Sequence, residues 1–182
     1  MTLLEYKTFV ENLSSANKDA IFMNSDIDYD SIVLAEIFRR SVKMHDEVCI
    51  FMGNLDLGDS VYAKHNYIDS IQQFVNSGGK LRIVLNAYNK NASSIIDTLL
   101  AMDSRNVEIR KSKIRLTDAT NKEIHFTVAG GSFRYEYDIV NHSVMCNFND
   151  TEKASKLKDI FEKCWEDKST IGLEDSWSEQ TV

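Results

Sequence analysis

The sequence predicts an α/β fold: a mixed β-sheet flanked by helices on both faces. Three observations carry that expectation. Short apolar runs alternate with stretches of helical periodicity through roughly the first 110 residues, in the order β-α-β crossovers produce. The run EVCIFM (from Glu47) is apolar on nearly every position, as a central strand covered on both sides is, and KLRIVL (from Lys80) reads as a further strand. The last third changes pattern, placing two short apolar runs around Gly130-Gly131, which reads as an antiparallel hairpin.

The elements follow in order. Leu3, Leu4, Tyr6, Phe9, Val10 and Leu13 recur near a 3.6 period and predict a first helix. AIFMN, from Ala20, is a short buried strand. A second helix, capped by Asp30 or Ser31, presents Ile32, Leu34, Ala35, Ile37, Phe38 and Val42, with Arg39, Arg40 and Lys43 near its C-terminal end, where cations favour the helix dipole. The strand from Glu47 gives way to a polar loop over 53–64. His65 to Asn76 forms a helix closed by Gly78-Gly79. After the strand from Lys80 come a helix from Ala92 to Met102 and a strand starting at Val107. The hairpin, a third strand ending in Asn147-Phe148-Asn149-Asp150, and a helix from Thr151 to Asp167 carrying Phe161 and Trp165 complete the domain. Periodicity is lost after Lys168, so the expected division is a domain over 1–168 and an acidic, flexible tail over 169–182.

At 182 residues the chain suits one domain, and 43% hydrophobic residues supply a full core. No window approaches the roughly 18 uninterrupted apolar residues of a membrane span, so no membrane partner is expected. Cys49, Cys146 and Cys164 are widely spaced, without metal-ligand spacing, which fits buried thiols in a reducing cytoplasm and argues against a metal or other cofactor. A net charge of −7 argues against a surface that coats nucleic acid broadly. A local basic stretch exists all the same. Arg105, Arg110, Lys111, Lys113, Arg115 and Lys122 stand with only Glu108 and Asp118 as acids among them.

The stretch EIHFTVAGGSFRYEYDIVNHSVMCNFND, from Glu123, followed by the last amphipathic helix, resembles the C-terminal half of a phospholipase D-like domain. The signature there is a His, a Lys two residues on and an Asp five beyond that. His125 stands at the first position, Thr127 at the second and Ser132 at the third. A glutamate expected shortly before the last strand is replaced by Ser143, with Asn141 and His142 before it. Glu136 is the other carboxylate in range, at a strained distance if its strand neighbours that of His125. The resemblance implies a half-unit that works as a two-fold dimer, with one His from each copy in a shared groove.

The implied chemistry is attack of a histidine on phosphorus, protonation of the leaving group by a second histidine, and lysines stabilising the charged oxygens. Thr127 cannot supply that charge. The expected function is therefore a non-catalytic, dimeric binding or regulatory module for a nucleic acid, a nucleotide or a partner protein. Arg110, Lys111, Lys113, Arg115 and Arg134 are the candidate ligand-binding residues. The alternative is a metal-independent phosphodiesterase or nuclease using His125 from each protomer as its catalytic residue.

Overall fold

The computed structural model describes residues 1–54, 65–87, 98–99, 101–102 and 105–173. Among the described residues eight strands form one sheet: β1 (Phe22–Asn24), β2 (Val48–Asn54), β3 (Leu81–Ala87), β4 (Val107–Lys111), β5 (His125–Ala129), β6 (Ser132–Asp138), β7 (Ser143–Asn147) and β8 (Ile171–Gly172). Their spatial order is β1-β7-β6-β5-β2-β3-β4-β8. Only β2, β3 and β4 run parallel to their neighbours within that trio; every other pairing is antiparallel. This is the mixed sheet the sequence predicts.

The period-two alternation of the strands sorts their side chains onto two cores. Val48, Ile50, Ile83, Ile109, Val144 and Cys146 pack with helices α1 (Leu3–Ser15), α2 (Ile27–Met44) and α3 (His65–Asn76) on one face. Cys49, Phe51, Val84, Phe126, Val128 and Phe133 pack against α4 (Thr151–Glu166), through Leu157, Phe161 and Trp165, on the other. One row of register partners crosses the whole sheet on the α4 face: Met23, Met145, Tyr135, Phe126, Phe51, Val84, Arg110 and Gly172.

The local signals explain most boundaries. Thr2 and Glu5 close a capping box on α1. Gly78, at φ +87°, lets Gly79 and Gly78 donate back to the Phe74 and Val75 carbonyls and ends α3. Gly130, at φ +53°, opens the two-residue turn between β5 and β6.

Three expectations are corrected. The cap of α2 is Asp26, whose carboxylate accepts from the Asp28 and Tyr29 amides, so Asp30 lies inside the first turn and is buried. The first strand, expected to be buried, is an antiparallel edge beside β7 with Ile21 and Met23 exposed. Ordered structure passes residue 168: β8 pairs with β4, and Thr170 and Leu173 are buried. The helix expected from Ala92 lies outside the described residues except at 98–99 and 101–102, as do 55–64 of the expected loop and 174–182 of the tail.

Candidate functional site

His125 opens β5 beside the carboxyl end of β2, where ligands of open α/β sheets are commonly held. The Gly53 amide donates to its Nε2 at 2.8 Å. A Cβ at position 53 would stand 2.7 Å from Glu123 Oε1 and 2.9 Å from that same Nε2, so only glycine allows the approach. On the other side, β6 places Glu136 directly opposite, with Oε2 3.4 Å from His125 Nδ1. An amide N–H can only donate. The neutral ring must therefore keep its lone pair on Nε2 and direct the Nδ1 proton to Glu136. Glu123 Oε1, 3.3 Å from Nε2, becomes a second partner once the ring is protonated. The imidazole is 8% exposed.

Glu136 thus reaches His125 without strain, and the neighbouring strand is what brings it there. A two-residue turn at Gly130-Gly131 pairs Ala129 with Ser132, Thr127 with Arg134 and His125 with Glu136. Counting register outward from the predicted turn was the signal that would have found this pair.

The same register fixes the surroundings of Thr127. Thr127 faces α2, is completely buried, and its hydroxyl has no hydrogen-bond partner among the described residues. Its cross-strand neighbour Arg134 carries a cation close to where a lysine at 127 would begin. Arg134 is 1% exposed, however. Its Nε donates to Asp30 Oδ1 and Oδ2 at 2.8 and 2.9 Å, and its Nη2 lies 3.2 Å from Glu136 Oε2. Burial opposes ionisation of Glu136, but the Arg134 charge and the His125 contact outweigh it and hold the carboxyl below its usual range. Burial pushes Asp30 up, against the pull of Arg134. Arg134, expected to bind ligand, is enclosed between two carboxylates. Ser132, at the third motif position, donates to the Phe148 carbonyl at 3.1 Å and ties the hairpin to the start of α4.

The basic stretch divides. Arg110 lies 4.0 Å from the Trp165 ring centroid and donates to the Trp165 carbonyl at 3.1 Å. Lys111 is half-buried in β4 opposite Ile171. Lys113 and Arg115 are exposed, while Ile114 and Leu116, alternating with them, tuck against the α4-side core. Asn86 and Leu85 anchor Ser112 at the carboxyl end of β3, so this segment crosses from β4 to β5 at the end of the sheet that holds His125. Asp30, a member of the buried cluster, gave no sequence signal beyond its charge. No group of three or more His, Cys, Asp or Glu among the described residues is arranged to hold a metal ion.

The eight-stranded mixed sheet with helices on both faces is shared, as a fold, with solved structures. The chain is similar to NucT from Helicobacter pylori, with TM-score 0.54 and 15% identity over 86% of this chain and 99% of the other. It is also similar to TrmBL2, an archaeal chromatin protein with a novel mode of DNA binding, with TM-score 0.55 and 14% identity; the match covers 93% of this chain and 61% of that one. No family model matches the sequence, and neither does any curated protein. Among the described residues, no helix is long and apolar enough to cross a membrane.

Proposed function

We propose that the chain is a non-catalytic, phosphodiester-binding module built on the phospholipase D-like fold. One observation carries this reading. The cation nearest the motif, Arg134, is held by Asp30 and Glu136, and Thr127 stands at the lysine position. Transfer of a phosphoryl group needs positive charge aimed at its oxygens, and losing one such donor costs on the order of 3 kcal/mol of transition-state stabilisation. The Gly53 amide also occupies the Nε2 lone pair that would attack phosphorus. Lys113 and Arg115, with Lys111 and Arg110 behind them, supply the phosphate contacts, and the reading assumes a cytoplasmic protein.

The test is fluorescence anisotropy with single- and double-stranded oligonucleotides across salt, alongside a metal-free hydrolysis assay on plasmid DNA and an activated diester. Binding should weaken steeply from low to physiological salt and be lost in Lys113→Glu/Arg115→Glu, with no turnover. Turnover abolished by His125→Ala would overturn the proposal. Neither binding nor turnover would leave a partner protein as the ligand.

The likeness to NucT along that protein's whole length favours a second reading, a metal-independent phosphodiesterase or nuclease. The His125–Glu136 pair supports it, since a carboxylate on Nδ1 orients an imidazole for attack through Nε2. Here Nε2 would leave the Gly53 amide, and a second copy would supply the protonating His125. On this reading His125→Ala removes kcat, whereas Lys113→Glu mainly raises KM.

A further inference from the structure

We propose that the groove along the outer face of α2, between α1 and α3, binds a small amphipathic anion: a carboxylate carried on an apolar chain or ring. The inference does not rest on the phosphodiester reading. None of the residues lining the groove belongs to the His125 cluster or to the basic stretch.

The groove follows from the two stripes of α2. Val33, Leu34, Ile37 and Phe38 turn into the core and are completely buried. The opposite stripe of such a helix is normally polar. Here it carries Ile32, Ala35 and Val42, all half-buried, along the floor of the groove. Helix α1 packs on one side of α2 and α3 on the other, contributing Lys7 and Glu11 to one wall and Gln73 to the other. The space between them is about 420 Å³, within the roughly 300–1,000 Å³ of ligand clefts. Ala35, the smallest side chain of the floor, leaves its centre open.

The charges around the floor select the sign of the ligand. Lys7, Arg39 and Lys43 stand against Glu11 and Glu36, one cation in excess. Glu36 is 4% exposed and accepts from Arg39 Nε at 2.5 Å and from Arg39 Nη2. That contact fixes the guanidinium and uses two of its five N–H donors. The Nη1 donors have no partner among the described residues, and neither has the Lys43 ammonium. Glu11 lies within electrostatic reach of Arg39, and Lys7 stands 4.0 Å from it.

Arg39 and Lys43 are one turn apart on the same helix face, so a single anionic head accepts from both. A guanidinium already held by a buried carboxylate loses little freedom on binding. The apolar body of the ligand then covers Ile32, Ala35 and Val42. One surplus charge suits a monoanion rather than a polyphosphate. A cationic amphiphile finds only carboxylates that already have partners, and a neutral one forgoes the head contact.

The experiment titrates anilinonaphthalene sulfonate, an anion on an apolar ring system, into the full chain at neutral pH. Its fluorescence should rise with one saturable site. Decanoate should displace it, and decyltrimethylammonium should do so at least about tenfold less well. Lys43→Glu, at an exposed position, should weaken the probe by about tenfold or more. Ala35→Phe should abolish binding by filling the floor, with a urea melt to check the fold; should that variant unfold, Lys43→Glu decides alone. Lys113→Glu/Arg115→Glu should bind the probe as the wild type does while polynucleotide binding fails, so the two proposals separate. Absence of saturable binding would overturn the inference. So would binding that Lys43→Glu leaves unchanged, equal displacement by the anionic and cationic amphiphiles, or loss of the probe in Lys113→Glu/Arg115→Glu.

Discussion

Each face of the sheet carries an arginine clasped by two carboxylates, and the two clasps differ in access to water. Under α2, Arg134 joins Asp30 and Glu136, and all three side chains are almost sealed. Under α4, Arg82 bonds Glu47 and Glu162, and Lys158 joins both acids from a half-exposed position. Arg82 is also stacked 5.2 and 5.0 Å from the Phe161 and Trp165 ring centroids. The sealed clasp uses the Arg134 charge inside the fold, beside His125. The open clasp holds a helix to a sheet, and water shares its charges. Similar ion pairs thus stand for different things: the first satisfies charges sealed in the core, and the second reinforces packing.

The comparison breaks most readily at Arg134. Arg134→Met leaves Asp30 and Glu136 buried without their cation and should cost about 3–5 kcal/mol in urea unfolding. Adding Asp30→Asn and Glu136→Gln should recover much of that loss, because the uncompensated charge is then gone. A loss under about 1 kcal/mol for the single change would show that water reaches the cluster, and the sealed reading would fail.

On the other face the largest effect belongs to an apolar group. Trp165→Ala should cost about 3 kcal/mol, the low end for a buried Trp, since Arg110 and Arg82 can settle into the space. Arg82→Met should cost less, about 1–2 kcal/mol, because Glu47 and Glu162 keep Lys158 and solvent as partners. An Arg82 effect as large as that of Arg134 would erase the distinction between the clasps.

How much of this was legible beforehand follows the range of the interactions. Periodicity located the described helices and the strands as far as β7, because apolar spacing is local; α3 was expected from His65 to Asn76 and is found there. Phe161 and Trp165 were legible as buried for the same reason. The partner of β1 was not, since an isolated apolar run does not say which strand it joins. Asp30 and Arg134 are 104 residues apart, and nothing in either neighbourhood announces the other. The misplaced helix start had a local cause: Asp26, Asp28 and Asp30 all precede the apolar face, and any of them is a competent cap. The His125–Glu136 pair lies between these extremes. It follows from turn length once the turn is trusted, so it was recoverable by arithmetic on register.

The smallest predicted effect is the sharpest test of the open clasp, because its sign is set by one group. Burial raises the cost of ionising Glu47, yet hydrogen bonds from Arg82 and Lys158 and their charges outweigh it and hold the carboxyl at about 2, below its ordinary 4.5. A carboxyl depressed in the folded protein stabilises it above the unfolded value. That contribution is complete above pH 4.5 and disappears as pH falls toward about 2. Glu162 and Glu136 are also lowered and act in the same direction, whereas Asp30 is raised and acts in the opposite one. The wild-type profile alone therefore mixes several groups, and its difference from Glu47→Gln isolates this one. That difference should be level from pH 7 to about 5 and shrink steadily below it, since Gln cannot be protonated and the wild type loses its advantage. Solvent screens the pair, so the slope should be shallow, and added salt should reduce it further. Two parallel profiles down to pH 3 would mean that Glu47 gains nothing from Arg82 and Lys158 on folding, and the polar tie of the sheet to α4 would then rest on Glu162 and the Trp165 carbonyl.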